Sequence, residues 1–160
     1  MLLKDITSEN DLRNWLKGNA IFMRGVTLQW VEPSPLIGSA IGAADVIMKC
    51  GDYKIDVELK YLVRKIRGIK FTLRPSQRRF HHSSMRRGGK TALLFIEAGN
   101  KKLWIIRGDK IPLRDYALDP DSGCQNGVVD MWIVSGKNDA AVVEHLTNIL
   151  FHSIFWRSDA

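Results

Sequence analysis

The clearest pattern along the chain is an alternation. In "GDYKIDVELK" (51–60), Tyr53, Ile55, Val57 and Leu59 interleave with Lys54, Asp56, Glu58 and Lys60. A strict period of two predicts a strand with one apolar and one charged face. The preceding "ADVIMKC" (44–50) reads as a second strand, and Gly51-Asp52 between them is a two-residue hairpin signal. Helical signals occur in three places. "TSENDLRNWLKG" (7–18) opens on the capping residues Thr7 and Ser8, carries acids in its first turn and can stop at Gly18. "PSQRRFHHSSMRRGG" (75–89) has Pro75 suited to the first helical position and Gly88 suited to the stop. "NDAAVVEHLTNILFHSIFW" (138–156) predicts a helix whose wide apolar stripe includes Val142, Val143, Leu146, Ile149, Leu150 and Ile154. Further strands are expected over 20–32, 90–98, 103–108 and 127–134. Loops are expected over 36–44 and 109–126, and the basic stretch 64–74 reads as a loop with a short strand. The order predicts one mixed α/β domain over 1–160, a central sheet flanked by helices with a closing C-terminal helix.

Composition narrows the partner. Twenty-four Lys and Arg against 17 Asp and Glu leave a net charge of +7, which points to an anionic partner, nucleic acid ahead of a membrane surface. No apolar run approaches the roughly 18 residues of a spanning helix, and the N-terminus does not read as a signal peptide. Cys50 and Cys124 lack metal or disulfide-framework spacing, so a reducing, cytoplasmic setting is expected.

The hairpin brings chemistry together. With Gly51-Asp52 as the loop, facing residue numbers sum to 103, so Asp45 faces Glu58. Facing residues project from the same side of a sheet with Cβ atoms about 4.5–5.5 Å apart. Lys60 shares that side. Two carboxylates at about 5 Å repel by roughly 3 kcal/mol at an effective dielectric near 20. A divalent cation such as Mg²⁺ or Mn²⁺ would offset that, and so would a structural salt bridge to Lys60. An alternating charged strand is also an ordinary solvated sheet face. Against that bland reading stands the next segment. Residues 60–90 hold 11 of the 24 basic residues and no acid, the pattern of a phosphate-tracking surface beside an acidic site.

These residues resemble the PD-(D/E)XK nuclease superfamily, and within it the small Holliday-junction-resolvase-like and VRR-NUC group often found in phages. The segments "GAADVIMK", "IDVELK" and "LRPSQRRFHHSSMRRGGKTALLFIEA" carry the resemblance, over about 38–108. It implies a restriction-endonuclease-like core of helix, three strands, helix and strand, and Mg²⁺-dependent phosphodiester hydrolysis with Mn²⁺ able to substitute. It implies Asp45, Glu58 and the main-chain carbonyl of Leu59 as metal ligands. Lys60 would orient and help deprotonate the attacking water or stabilise the phosphate, and Gln77 would position Lys60 or the water. The resemblance also implies a further metal-ligating glutamate, which the family often has in the first helix. Glu9 matches best, with Glu32 as the alternative. Ala44 stands where the family has proline.

Arg64, Lys65, Arg67, Arg74, Arg78, Arg79, Arg86 and Arg87 are the candidate DNA contacts. Asp56, facing Ile47, reads as a surface acid. His81 and His82 read as DNA-contacting or surface residues rather than ligands, and Trp104, Trp132 and Trp156 as core. Three functions are consistent with this: an endonuclease on branched or Holliday-junction DNA in recombination or phage genome processing, a non-catalytic nucleic-acid-binding module, or a basic protein-interaction domain. The first would act in the cytoplasm, that of an infected bacterium for a phage-encoded chain. The small size favours reading of DNA shape over sequence. Phe151, Phe155 and Trp156 extend the apolar stripe of the last helix, which, with the two sites a junction needs, predicts a two-fold homodimer.

Overall fold

The first structured segment is set by a cap. In the computed structural model, which describes residues 1–32, 44–66, 68–113 and 131–157, Ser8 Oγ accepts from the Asp11 N–H at 3.1 Å and opens helix α1 (Glu9–Asn19). The chain then turns through a short 3₁₀ segment and Gly25 into strand β1 (Thr27–Trp30). The expected strand over 20–32 is thus only four residues long.

Strands β2 (Val46–Cys50) and β3 (Tyr53–Lys65) form the hairpin. Their ladder runs from Val46–Val57 to Cys50–Tyr53, every pair in the register expected from the loop. Gly51 adopts φ +58°, the left-handed region that favours glycine in such a turn. Strand β3 continues to Lys65 and folds back onto the short β4 (Gly68–Lys70). Helix α2 (Pro75–Arg86) follows, with Pro75 at its first turn and Gly88 at φ +87° just past its end. It crosses over to β5 (Thr91–Glu97), which pairs parallel with β3. Strands β6 (Lys102–Arg107) and β7 (Met131–Val134) add antiparallel. The sheet order is β1-β2-β3-β5-β6-β7, with β4 on β3. The sequence order α1, β1–β3, α2, β5 contains the helix, three strands, helix and strand that the resemblance implies. The expected glycine-rich loop up to 43, most of the 109–126 loop and the first half of the 127–134 strand lie outside the described residues.

The two sheet faces divide by residue parity. Val46, Met48, Ile55, Val57, Leu59, Ala92, Leu94, Ile96 and Ile105 point to one face. They pack with Leu12, Trp15 and Leu16 of α1 and with Val142, Val143, Leu146, Ile149 and Leu150 of the last helix, α3 (Asp139–Leu150). Trp15 Nε1 donates to Asp139 Oδ2 at 2.9 Å and ties the two helices together. The other face carries Leu62, Leu93, Phe95, Trp104 and Ile106 with Ile69, Phe71 and Leu73, beneath α2.

Helix α3 ends at Leu150, short of the expected 156. Residues 153–156 form a 3₁₀ turn that folds Phe155 into the core, and Trp156 Nε1 donates to the Leu150 carbonyl at 2.7 Å. The apolar excess read from the sequence is therefore largely spent on intramolecular packing.

Candidate active site

Strand β3 outruns its neighbour. Its described ladder with β2 stops at Val46–Val57, while β3 goes on to Lys65. Asp45 stands just outside this ladder, its N–H bonded to the Val57 carbonyl at 3.1 Å. The period-two pleat of β3 turns Glu58 and Lys60 to one side at that notch, with Asp45 close enough to act on Glu58. The start of α1 reaches the same place, and Lys60 Nζ lies 3.6 Å from Glu9 Oε2 and 3.8 Å from Glu58 Oε1. Asp45 Oδ2 accepts from the Leu59 N–H at 2.8 Å, which fixes the carboxylate against the strand.

Glu58 is 2% exposed. Its Oε1 accepts from Gln77 Nε2 at 2.7 Å, while Oε2 is buried without a hydrogen-bond partner. Gln77 is oriented from its other end, where Oε1 accepts from the Arg74 N–H at 2.9 Å. An amide whose oxygen is bound to an N–H must present its NH₂ to the carboxylate. The first turn of α2 thereby grips Glu58. Gln77, expected to position Lys60 or the water, instead bonds Glu58. Burial pushes the Glu58 carboxyl up to about 8, with Asp45 and Glu9 adding to the rise and Lys60 and Arg74 opposing it. Glu9 is raised as well, by burial first, with Lys60 opposing and Asp45 adding. The acids therefore interact electrostatically, as expected of like charges sharing one site.

Of the two candidate third acids, Glu9 joins this cluster, while Glu32 pairs with Arg13 at 3.6 Å. Arg13 was absent from the sequence reading. Its Nη2 lies 3.8 Å from Asp45 Oδ1, and its guanidinium lies 5.3 Å from the Trp30 ring centroid. The available signal was helical spacing, since Arg13 falls one turn after Glu9 on the same face of α1.

Among the described residues, no three His, Cys, Asp or Glu side chains converge closely enough to hold a metal ion. Two carboxylates and a main-chain carbonyl remain a workable set for Mg²⁺, which usually keeps several waters. The unpaired, buried Glu58 Oε2 is the feature that fits such an ion: a desolvated lone pair needs a donor or a cation.

Several expected contacts lie elsewhere. Asp56 does face Ile47 but is half-buried, not a surface acid, and burial raises its carboxyl. His81 is fully buried, both ring nitrogens lack hydrogen-bond partners, and burial holds it down at about 4. His82 Nε2 meets the Ile111 carbonyl at 2.8 Å. The sequence reading missed this because α2 lays its 77–81 side, not a leucine stripe, on the sheet. Arg64 pairs with the buried Glu97, which also accepts from Trp104 Nε1 at 3.2 Å. Arg78 donates to the carbonyls of Phe71 at 2.7 Å and Leu113 at 2.8 Å. Both arginines are tied into the fold. Lys65, Arg74, Arg79, Arg86 and Arg87 are exposed, and Arg67 lies outside the described residues. Arg79, Ser83 and Arg86 line a groove of about 600 Å³ between α2 and Leu113. Helical spacing puts that groove on the side of α2 opposite Gln77 and His81.

No protein-family model matches the chain, and no curated protein matches it. Among solved structures, it is similar to the Holliday junction resolvase Hjc of Archaeoglobus fulgidus, an archaeal hyperthermophile. The match has 12% identity and a TM-score of 0.45 and covers 71% of this chain and 86% of that one. A likeness at this level assigns no activity, so the functional reading is built on the residues. No described helix is long and apolar enough to cross a membrane.

Proposed function

We propose that the chain is a metal-dependent DNA endonuclease acting on branched DNA, four-way junctions included. The observation that carries this reading is Glu58: a buried carboxylate with one oxygen held by Gln77 and the other unpaired, beside Asp45 and Lys60. Asp45, Glu58 and the Leu59 carbonyl would hold Mg²⁺, with Mn²⁺ able to substitute. The bound ion supplies Lewis acidity and a water of lowered pKa. Lys60 brings a positive charge and three N–H donors to the open notch, suited to orient a water or to bind a phosphate oxygen. Gln77 keeps Glu58 in one rotamer. Glu9 holds Lys60 from the outer side as a companion of the cluster.

Exposed Lys65, Arg74, Arg79, Arg86 and Arg87 would track phosphates. The groove bearing Arg79 and Arg86 faces away from the acid cluster. Engaging both at once suits DNA with more than one duplex arm, in recombination or phage genome processing. Symmetric cleavage of two junction strands needs two sites, so a two-fold homodimer belongs to the proposal. Light scattering at tens of micromolar protein tests that part.

A second reading, a nucleic-acid-binding module without catalysis, is favoured by one observation: Lys60 and Arg13 already supply internal cations to the acids. Incubation of the protein with a labelled four-way junction, a linear duplex and a single strand, with and without Mg²⁺, separates the two. Mg²⁺-dependent cutting of the junction, abolished in Glu58→Gln, is the expected result. Binding without cutting at any divalent concentration sinks the nuclease reading.

A further inference from the structure

The notch contains a charge that the nuclease reading does not use. Arg13 is held by two carboxylates at once, Asp45 Oδ1 at 3.8 Å and Glu32 Oε1 at 3.6 Å. Both separations exceed the roughly 2.7–2.9 Å of a charge-assisted hydrogen bond. The same guanidinium donates to the Val31 carbonyl at 3.5 Å and contacts the Trp30 ring. Its side chain is 20% exposed, and that of Glu32 is 72% exposed. One partner of Arg13 thus lies in the acid cluster, and three lie beside β1. A cation shared loosely between two acids shifts toward either with little rearrangement.

We propose that Arg13 is a built-in counter-ion: in the metal-free protein it neutralises Asp45, and on metal entry it yields that place and moves fully onto Glu32. The inference rests on the metal-dependent reading above. Asp45, Glu58 and Glu9 repel one another, and without a divalent ion that repulsion is relieved by proton uptake on Glu58 and by internal cations. Lys60 serves Glu58 and Glu9. Arg13 serves Asp45. A divalent cation held by Asp45 would stand close to the guanidinium and repel it. Glu32 and the Val31 carbonyl, already in contact with Arg13, offer it a destination. Arg13 is therefore a positioning residue. It sets the metal concentration at which the cluster fills, and it keeps the acids paired until then.

The test is a calorimetric Mn²⁺ titration of the folded protein without DNA, using the parent, Arg13→Gln, Arg13→Lys and Glu58→Gln. Melting curves over the same Mn²⁺ range accompany it. Arg13→Gln is expected to bind Mn²⁺ about tenfold more tightly than the parent, with Arg13→Lys close to the parent. The Mn²⁺-dependent rise in melting temperature should begin at correspondingly lower metal in Arg13→Gln, a change that a merely structural arginine would not produce. Glu58→Gln should lose the binding. Equal or weaker affinity in Arg13→Gln overturns the role of Arg13 and leaves the metal reading standing. Absence of Mn²⁺ binding in both parent and Arg13→Gln overturns both. Glu32→Gln keeps the test decisive if Arg13→Gln does not fold. Removing the alternative partner should weaken Mn²⁺ binding about two- to threefold, and unchanged or tighter binding counts against the proposal.

Discussion

The two faces of the sheet are built from the same strands yet obey different rules. Toward α1 and α3, β3 contributes Ile55, Val57 and Leu59, and the helices answer with Leu12, Leu16, Val143 and Leu146, an apolar layer throughout. Toward α2, the same strand contributes Asp56, Glu58 and Lys60, and the helix answers with Gln77 and His81. Glu58 Oε2, both His81 nitrogens, Asp56 Oδ1 and Thr91 Oγ1 are buried there without hydrogen-bond partners. The α2 face has an apolar cluster of its own, around Phe71, Leu93, Phe95 and Ile106, but beside it this face keeps costly, desolvated polar groups, and such groups collect where a site needs them.

The most severe way to break this contrast is Glu58→Gln. Cleavage in Mg²⁺ should fall about a thousandfold or more, since the glutamine lacks the negative ligand for metal-assisted water activation. Above about pH 8 the metal-free variant should melt at or above the parental temperature, because there a buried charge has been removed. Parental cutting rates would defeat the mechanism. On the opposite face, Leu146→Ala should cost about 2–5 kcal/mol in a denaturant titration, the ordinary result of a core cavity. It should leave the Mn²⁺ affinity of the folded protein unchanged.

The pH dependence sharpens the comparison. Glu58 has a folded value of about 8, raised above its ordinary 4.5, so its contribution is fully present below about 4.5 and is lost as pH rises through 8. His81 is lowered from 6.5 to about 4, so its contribution is present above 6.5 and is lost as pH falls toward 4. The two oppose each other below 6.5, and above it only Glu58 acts. Metal-free stability should therefore drop by about 2 kcal/mol between pH 6.5 and 8, and the drop should vanish in Glu58→Gln. A flat profile in the parent would mean that Glu58 is ionised throughout.

Smaller effects are expected from the surface and from His81. Arg79→Ala with Arg86→Ala should weaken junction binding alike across sequences and reduce the salt slope by about two, with melting temperature nearly unchanged. An unaltered slope would remove the outer groove of α2 from the interface. His81→Leu should change stability by less than about 1 kcal/mol, because it deletes two unpaired nitrogens along with the imidazole's packing. A loss as large as that of Leu146→Ala would show that the two faces are not so different.

The hairpin carried its own evidence. A two-residue loop and a period of two are local, so the register from Val46–Val57 to Cys50–Tyr53 and the side shared by Glu58 and Lys60 were legible before any tertiary contact was known. The starts of α1 and α2, with Ser8 and Pro75, were equally local. Other features depended on neighbours far along the chain. That Glu9 rather than Glu32 reaches Lys60 follows from how α1 packs against β3, which no spacing rule encodes. Arg64 and Arg78 looked like phosphate contacts until Glu97 and the carbonyls of Phe71 and Leu113 claimed them. His81 looked exposed because a polar helix was expected to face water, whereas packing on the sheet turned a polar side inward. Phe155 looked like an intermolecular surface until the chain bent after Leu150 and buried it. The sequence by itself determined which residues alternate, cap and turn, because those preferences act over a few bonds. Only the tertiary structure decided which charges are paired and which are left for a ligand, because burial and Coulomb energies depend on groups brought together from distant parts of the chain.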